Sequence, residues 1–381
     1  MTDPLDHIRR LAHEIGARPS AGEGERRAAA YIRAELEKFG YLVKTEPFRS
    51  PRSFGHVYIP IYLLALGGFV IGVVMDRAAL GLLLSGIALV TFLGENTTAL
   101  KLASAVVPKW RSQNVVARLA PRELPRRRLV LAAHYDTTKA GLLWHPRLVK
   151  RFRLSFLVLT WSMAAVPAVM AVSAAAGIKV LLFAAVPFAL VVAYGLVVLV
   201  HRELFFKHVA GANDNASGVG VVLSLAEALA IDPPPDTEVV VLATGAEEAG
   251  MVGMQAFLKK HADEMERAWL INVDNVGAGD VFYTTEEGML LKHKTGKELR
   301  HLAEKIETLP GMEISGRPFR TMSNDTEPVL LRRIEAITVM AATDGVPVNW
   351  HWPTDTAENI DPDSVDTAYR FVEAMVRRLI A

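Results

Sequence analysis

The sequence predicts an α/β domain, with a mixed, mostly parallel central sheet flanked by helices, that is interrupted by four transmembrane helices. The first observation is that short apolar segments typical of buried strands alternate with helical segments, the order that builds a parallel sheet between helices. The second is that four apolar runs without a charged residue interrupt this alternation, at 57–75, 78–94, 154–178 and 180–200. Each run has about the 20 residues that a helix needs to cross about 30 Å of hydrocarbon.

The apolar runs come as two pairs, and each pair predicts a helical hairpin. Asp76 and Arg77 separate the first two runs, and Lys179 separates the second two. The expected division is therefore a soluble domain assembled from 1–52, 111–153 and 201–381, with hairpins inserted at 53–110 and 154–200. The alternatives are buried core helices, or hairpins that form a lid or a dimer interface on a soluble protein.

The sequence of the soluble part predicts the following helices and strands, given in chain order. Residues 4–39 are expected to be helical, followed by the strand YLVKTEPF at 41–48. The strands NVVARL and LVLAA are joined by the basic segment RELPRRR, which is short enough for a hairpin turn and predicts an antiparallel meander of these first three strands. The remaining expected elements are a helix at 219–230, a strand at 237–244, a helix at 254–264, a strand at 268–274 and a C-terminal helix after DPDS at 361–364.

The composition limits the chemistry that the chain can perform. The net charge of +1 over 381 residues provides no strong positive field, so we expect no nucleic-acid partner. Cysteine is absent, which excludes disulfides, a thiol nucleophile and thiolate metal ligands. A metal bound by this chain would therefore be held by nitrogen and oxygen atoms.

Ionisable residues stand where predicted strands end, which is where open α/β sheets build their sites. In LVLAAHYDTT, His134 and Asp136 follow a buried strand and share one face of an extended segment. A carboxylate so placed can hold a metal-binding imidazole in one tautomer. In LINVDN, Asp274 ends another buried strand, where a charge is costly unless it is paired or metal-bound. Taken singly, a structural histidine beside a surface aspartate explains the first pair equally well.

Three further loops carry candidates of the same kind. GANDNASG offers Asp214 before a helix, although a plain helix cap explains that loop by itself. TGAEEAG places the adjacent carboxylates Glu247 and Glu248 in a turn after an apolar strand. NWHWPTDT supplies His351, with Asp355 four residues later. Each of these three loops, like each of the two strand ends LVLAAHYDTT and LINVDN, is weak evidence by itself. The five stretches together are much stronger evidence.

In order and wording, these five stretches resemble the zinc-dependent exopeptidases of metallopeptidase family 28, of the bacterial leucyl aminopeptidase type. The resemblance extends to the N-terminal segment ARPSAGEGERRAAAYIRAELEKFGY and covers the whole soluble portion. It implies a zinc exopeptidase fold with two Zn²⁺ ions per chain. It also implies the following roles: His134 and Asp274 on one zinc, Glu248 and His351 on the other, Asp214 as the bridge, Glu247 as general base and Asp136 as the partner of His134. A cis peptide bond between Asp214 and Asn215 is implied as well.

Charge counting agrees with this ligand set. Two Zn²⁺ ions bring four positive charges and the three carboxylate ligands bring three negative ones, so one hydroxide bridging the metals makes the centre neutral. That hydroxide would attack a peptide carbonyl while Glu247 accepts and returns a proton. We expect an aminopeptidase acting on peptides. The alternatives are a carboxypeptidase or other amidohydrolase of this fold, or an acyltransferase resembling glutaminyl cyclases.

Basic residues beside the apolar runs indicate which side of the membrane the soluble domain occupies. Arg77 and Lys179 lie at the hairpin tips, whereas the other flanking basic residues lie on the soluble-domain side: Arg49, Arg52, Lys101, Lys109, Arg111, Arg147, Lys150, Arg151, Arg153, Arg202 and Lys207. By the positive-inside rule we expect the domain to face the cytoplasm, and the absence of a signal-peptide pattern before it agrees with this orientation. The expected lipid bilayer is the cytoplasmic (inner) membrane. The shared direction of the first and third strands predicts a site that faces the bilayer.

Overall fold

The computed structural model describes residues 2–98 and 100–381. The strands are β1 (Leu42–Ser50), β2 (Trp110–Leu119), β3 (Arg127–His134), β4 (Thr237–Thr244), β5 (Ala268–Val273), β6 (Asp280–Glu287), β7 (His293–Lys294), β8 (Ser315–Pro318) and β9 (Glu335–Ala342). The α-helices are α1 (Pro4–Arg9), α2 (Glu23–Lys38), α3 (Gly55–Phe69), α4 (Ala78–Asn96), α5 (Ala103–Val106), α6 (Phe152–Ala176), α7 (Val186–Phe205), α8 (Ser217–Ile231), α9 (Val252–Lys260), α10 (Ala262–Met265), α11 (Lys297–Ile306), α12 (Glu327–Leu330) and α13 (Pro362–Leu379).

The chain forms two compact units. Unit 1 comprises Met1–Arg52, Lys109–Ala140 and Lys207–Ala381, and unit 2 comprises Ser53–Pro108 and Gly141–Phe206. The residues 141–153 and 201–206, which the sequence assigned to the soluble domain, fall in unit 2. The reason is local: short helical turns at Leu142–Trp144 and Val149–Arg151 lead into α6, and α7 continues to Phe205.

Unit 1 is built on one sheet with the strand order β1-β2-β4-β3-β5-β9-β6-β7, and β8 pairs with β6. The central strands β4, β3, β5 and β9 are parallel to one another. β1 pairs antiparallel with β2 and β2 with β4, whereas β6 pairs antiparallel with β9 and β7 and parallel with β8. This mixed sheet, with helices on its faces, confirms the predicted fold class.

The predicted meander of the first three strands is wrong in its pairing. β2 pairs with β4, which lies between β2 and β3. The segment RELPRRR does not close a hairpin because its backbone amides are bonded elsewhere: Arg122 N donates to the Pro234 carbonyl, Glu123 N to Pro235 and Arg126 N to Asp236. The predicted direction is nevertheless correct, since β1 is antiparallel to β2, β2 is antiparallel to β4, and β4 is parallel to β3.

The central strands read as continuous apolar runs because both faces of the sheet are covered. On one face Leu131 and Ile271 belong to a core that includes Val221 of α8. On the other face Val130 and Leu270 belong to a core that includes Phe257 of α9. The site loops therefore emerge from strands that are fixed on both sides.

Five helical segments of the described chain are long and apolar enough to cross a membrane. One of them, Ala212–Ile231, contains α8 and has 78% of its apolar window buried, as expected for a core helix of unit 1. The other four are in unit 2, where only 28% to 39% of each window is buried: Gly55–Val74, Ala78–Asn96, Val149–Ala176 and Lys179–Phe205. They correspond to the four apolar runs in the sequence.

The outward faces of the unit 2 helices remain apolar. Leu83 is 58% exposed, Trp161 74% and Phe183 66%. Such a continuous exposed apolar surface marks a site that another apolar phase or partner covers. The tips of the two hairpins are joined by an ion pair between Lys179 and Asp76, so both hairpins turn at the same end of unit 2.

Helices α3 and α4 pack through small residues. A Cβ added at Gly81 of α4 would lie 2.4 Å from the Gly72 Cα and 2.6 Å from the Gly68 carbonyl oxygen. One at Gly68 would meet Ser85 Oγ at 2.4 Å. Backbones approach this closely only where side chains are absent, as in many membrane helix pairs.

We expect Gly81→Ala to destabilise unit 2 by about 1–3 kcal/mol, because the new methyl group forces the two backbones apart. Gly86→Ala is the matched control in the same helix, since a Cβ there has no neighbour within 4 Å and both variants gain the same helix propensity. Thermal unfolding of the purified full-length variants measures the difference. Equal unfolding temperatures for the two variants would show that the close contact does not govern stability.

Candidate metal centre

Five ionisable residues from five segments of unit 1 meet at the carboxyl ends of the parallel strands. His134 is the last residue of β3, Glu248 follows β4 and Asp274 follows β5. Asp214 precedes α8, and His351 lies in the loop after β9. All five side chains are buried. The edge at which they meet is the one where parallel α/β sheets place their sites.

The five residues form two groups of three that share Asp214. His134 Nε2 lies 3.1 Å from Asp214 Oδ1 and 3.5 Å from Asp274 Oδ1. His351 Nε2 lies 3.1 Å from Asp214 Oδ2 and 3.2 Å from Glu248 Oε1. Within each group the ligand atoms are all within 4.8 Å of one another. The two oxygens of one carboxylate thus face two different groups, which is the arrangement of a bridging ligand.

The donor atoms fit zinc in type and spacing. Nitrogen and oxygen atoms about 2.0–2.1 Å from a tetrahedral zinc are about 3.3 Å apart, close to the separations found here. Both Asp214 oxygens, Glu248 Oε1 and Asp274 Oδ2 are buried and accept no hydrogen bond from the residues that the structure describes. Carboxylate oxygens buried in this way are strongly destabilised unless a cation balances them, so the residues present fit two divalent metal ions.

The electrostatics of the polypeptide point to the same need for a cation. Burial lowers the pKa of His351, but the Glu248 and Asp214 carboxylates raise it to about 9. Burial raises the pKa of Asp214, but the His134 and His351 imidazoles hold it below its usual range. The buried carboxylates thus favour positive charge at this position, which bound metal ions would supply.

Asp136 lies beside His134 and accepts hydrogen bonds from the turn that carries the two glutamates. Its Oδ1 lies 3.6 Å from His134 Nδ1 and accepts a 3.0 Å hydrogen bond from the backbone amide of Glu247. Its Oδ2 accepts from Ser20 Oγ at 2.6 Å and from the Glu248 amide at 3.3 Å. The expected partner of His134 therefore also fixes a second segment of the site.

Glu247 lies beside both groups and belongs to neither. It is 8% exposed. Burial raises the pKa of its carboxyl well above the usual range, against the effect of His134, and the negative charges of Asp325 and Glu248 raise it further. A buried carboxylate that is adjacent to a metal centre without being one of its ligands is suited to proton transfer.

Sequence reasoning missed a buried arginine below the site. Arg18 is fully buried, and its guanidinium donates to the carbonyl oxygens of Tyr135 at 2.6 Å, Ala210 at 2.6 Å and Gly211 at 2.8 Å. It thereby ties the segment between His134 and Asp136 to the loop that leads to Asp214. In the sequence, Arg18 is indicated only by its place in the ARPSAGEGER stretch, which is part of the resemblance to the family.

Two aspartates near the centre have supporting positions. Asp355, four residues after His351, accepts hydrogen bonds from the backbone amides of Asn213 at 2.6 Å and Asp214 at 3.2 Å. Asp325 is buried and accepts from the Thr244 hydroxyl; burial raises its pKa to about 7. The Asp214–Asn215 peptide bond is cis, as the resemblance implied.

Comparison with known proteins agrees with this geometry. The chain has the fold of the zinc aminopeptidases: the structure of a zinc aminopeptidase from Bacillus subtilis superposes with a TM-score of 0.59 over 99% of this chain and 95% of that one, at 16% identity. A glutaminyl cyclase from Porphyromonas gingivalis gives the same TM-score over 99% and 98%, at 13% identity. At these identities the likeness establishes the fold.

Sequence comparison finds similarity to peptidases. The sequence profile of Peptidase family M28 matches residues 193–376. The aminopeptidase YwaD of Bacillus subtilis (strain 168) is 29% identical over 178 residues, which are 44% of this chain and 37% of that protein. The chain thus spans little more than a third of this curated relative. In fold and in the sequence of its C-terminal half, the chain is thus similar to the metallopeptidases of peptidase family M28.

Proposed function

We propose that the protein is a membrane-bound zinc aminopeptidase that hydrolyses peptide bonds at two metal ions per chain. The observation that carries this proposal is Asp214, whose two carboxylate oxygens face two complete ligand groups. His134 and Asp274 would hold one ion, and Glu248 and His351 the other. Bound zinc would polarise the scissile carbonyl and acidify a water molecule.

The chain's own residues supply the proton transfer. Glu247 accepts the proton of the attacking water and returns it to the leaving amine, as a general base and then a general acid. Asp136 keeps the His134 imidazole oriented and accepts a hydrogen bond from the backbone amide of Glu247. One carboxylate therefore supports both the general base and a metal ligand. The buried position of Glu247 protects this transfer from bulk solvent.

Aminopeptidase activity is favoured over glutaminyl cyclisation because both ligand groups are complete in the described chain. A cyclase that works with a single zinc ion has no need for the second group. The alternative activities are distinguished by measuring turnover of three classes of reporter substrate: free aminoacyl amides, acylated dipeptides and peptides with N-terminal glutamine. Preferential cleavage of the free aminoacyl amides supports the proposal, whereas preference for the acylated dipeptides indicates a carboxypeptidase and cyclisation of the glutamine peptides indicates an acyltransferase.

The four helical segments of unit 2 support the membrane part of the proposal. They have lengths of 19 to 28 residues and windows of mean hydropathy 1.9 to 2.6, and they expose large apolar side chains such as Leu83, Trp161 and Phe183. We propose that they lie in the cytoplasmic membrane with the hairpin tips on the far side and the metal centre in the cytoplasm, following the positive-inside rule.

We expect the protein to stay in the membrane fraction after carbonate washing. In this cysteine-free chain, Lys179→Cys at a hairpin tip should react with an impermeant thiol reagent in intact cells. Lys292→Cys, at a position 63% exposed in unit 1, should react only after permeabilisation. Loss of the surface pair between Lys179 and Asp76 has little effect on stability. Release by carbonate, or the reverse labelling pattern, would contradict this topology.

A further inference from the structure

The turn that carries the two functional glutamates is held by buried carboxylates through its backbone. The amides of Glu247 and Glu248 donate to Asp136 at 3.0 and 3.3 Å. The preceding amide, of Ala246, donates to Glu25 Oε1 at 3.0 Å. Three successive amides therefore point at two carboxylates, and these bonds determine the direction in which the side chains of the turn leave the backbone.

Glu25 is an unusual residue for its surroundings. It lies in the first turn of α2 and is fully buried. Its oxygens accept from Ser112 Oγ at 2.9 Å and, more weakly, from Gln113 Nε2 at 3.4 Å. No lysine, arginine or histidine of the described chain pairs with it. Burying an unpaired carboxylate is strongly unfavourable, so its retention calls for a specific task.

The turn needs such support because its conformation is strained. Ala246 has a positive φ of 51°, in the left-handed region that residues with side chains seldom adopt. The residue before it, Gly245, has no room for a side chain: a Cβ would lie 2.5 Å from the Gln113 carbonyl oxygen and 3.0 Å from Glu25 Oε1. The bond from the Ala246 amide to Glu25 therefore helps to hold a backbone that would otherwise relax.

We infer that Glu25 is a positioning residue: it holds the 245–248 turn so that Glu247 is directed at the reacting atoms. The inference rests on the proposed function for its kinetic consequence only. A carboxylate that contacts neither metal nor substrate would thus control the proton transfer through one backbone amide.

Three substitutions test this inference. Glu25→Gln keeps an oxygen that can accept from Ala246, so we expect near wild-type behaviour. Glu25→Leu has a similar volume and no acceptor, and Glu25→Asp keeps the carboxyl group but is one methylene too short to reach the amide. Both should lower kcat about 10- to 100-fold, the range typical of residues that support a metal site. KM and the content of two metal ions per chain should stay unchanged.

A control variant and a second measurement distinguish the positioning role of Glu25 from a purely structural one. Glu287 is equally buried and bonded to the Thr284 hydroxyl, but it has no contact with the turn, so Glu287→Leu should lower stability and leave kcat per folded chain unchanged. Amide hydrogen exchange of peptides covering 245–251 should be faster in Glu25→Leu and Glu25→Asp than in wild type and Glu25→Gln.

The exchange measurement needs no enzymatic activity, so it tests the inference even if the proposed function fails. Unchanged exchange in Glu25→Asp would overturn the role of Glu25 in holding the turn. Faster exchange with an unchanged kcat per folded chain would overturn the link to Glu247. Should Glu25→Leu fail to fold, Glu25→Asp still decides both points.

Discussion

Glu247→Gln is expected to abolish peptide hydrolysis while leaving the metal content at two ions per chain. The glutamine fills the same space but cannot accept the proton of the attacking water. Positioned acid–base groups contribute about 10²- to 10⁴-fold to rate, and the loss should fall at or beyond the upper end of this range because one residue serves both steps. Glu247 belongs to neither ligand group, so the metals should remain.

The neighbouring residue provides the matched control. Glu248 Oε1 lies 3.2 Å from His351 Nε2 within the second group, so Glu248→Gln should lower the metal content as well as the activity. Both variants are read by metal analysis and by steady-state hydrolysis on the same preparations. Equal metal loss in the two variants would contradict the assignment of Glu247 to proton transfer and Glu248 to binding.

Asp214→Asn should remove metal from both positions and abolish activity. Each Asp214 oxygen faces a different histidine at 3.1 Å, and an amide offers one neutral oxygen where two charged ones are needed. Its NH₂ group would point into one of the two groups and repel a cation there. We therefore expect a metal content well below that of the wild type, measured on protein refilled with excess zinc.

Asp325→Asn is the control for removing a buried aspartate close to the centre. Asp325 is as buried as Asp214 and belongs to neither ligand group. Because burial raises its pKa to about 7, the neutral amide replaces a group that is already partly protonated near neutral pH. Its metal content should stay at the wild-type level. Similar metal loss in both variants would indicate a general effect of charge, and Asp214 would lose its special role.

Three candidate ligands, His134, Glu248 and Asp274, could be found in the sequence because they lie at or shortly after the end of a strand. A buried apolar run such as LVLAA indicates where its strand ends, and parallel strands bring their carboxyl ends to one edge of the sheet. His134, Glu248 and Asp274 therefore converge once the sheet is parallel. The sequence order of the loops, matched to a family pattern, supplied Asp214 and His351.

Strand order could not be predicted from the same evidence. The length of RELPRRR allows a hairpin, and only its amide bonds to 234–236 place β4 beside β2. Those bonds join segments more than 100 residues apart, for which no local pattern exists. The strands β6 to β9 are short or weakly alternating, so no clear pattern in the sequence predicts them.

The supporting residues were missed for a related reason. Arg18 and Glu25 lie in the charged segment 4–39, whose composition is typical of a solvated surface, yet both are fully buried. Their partners are backbone carbonyls and amides of distant loops. Nearly all residues carry the same backbone groups, so the sequence does not show which of them will bond to Arg18 or Glu25. These contacts are visible only in the folded chain.

Titration of metal-free protein with zinc, with release of the amino acid from a free aminoacyl amide as the readout, decides whether the protein is a two-metal aminopeptidase. We expect activity to appear as zinc rises to two equivalents per chain, and chelation to remove it. Full activity at one equivalent, or a chain loaded with two zinc ions that cleaves no aminoacyl amide, would contradict it.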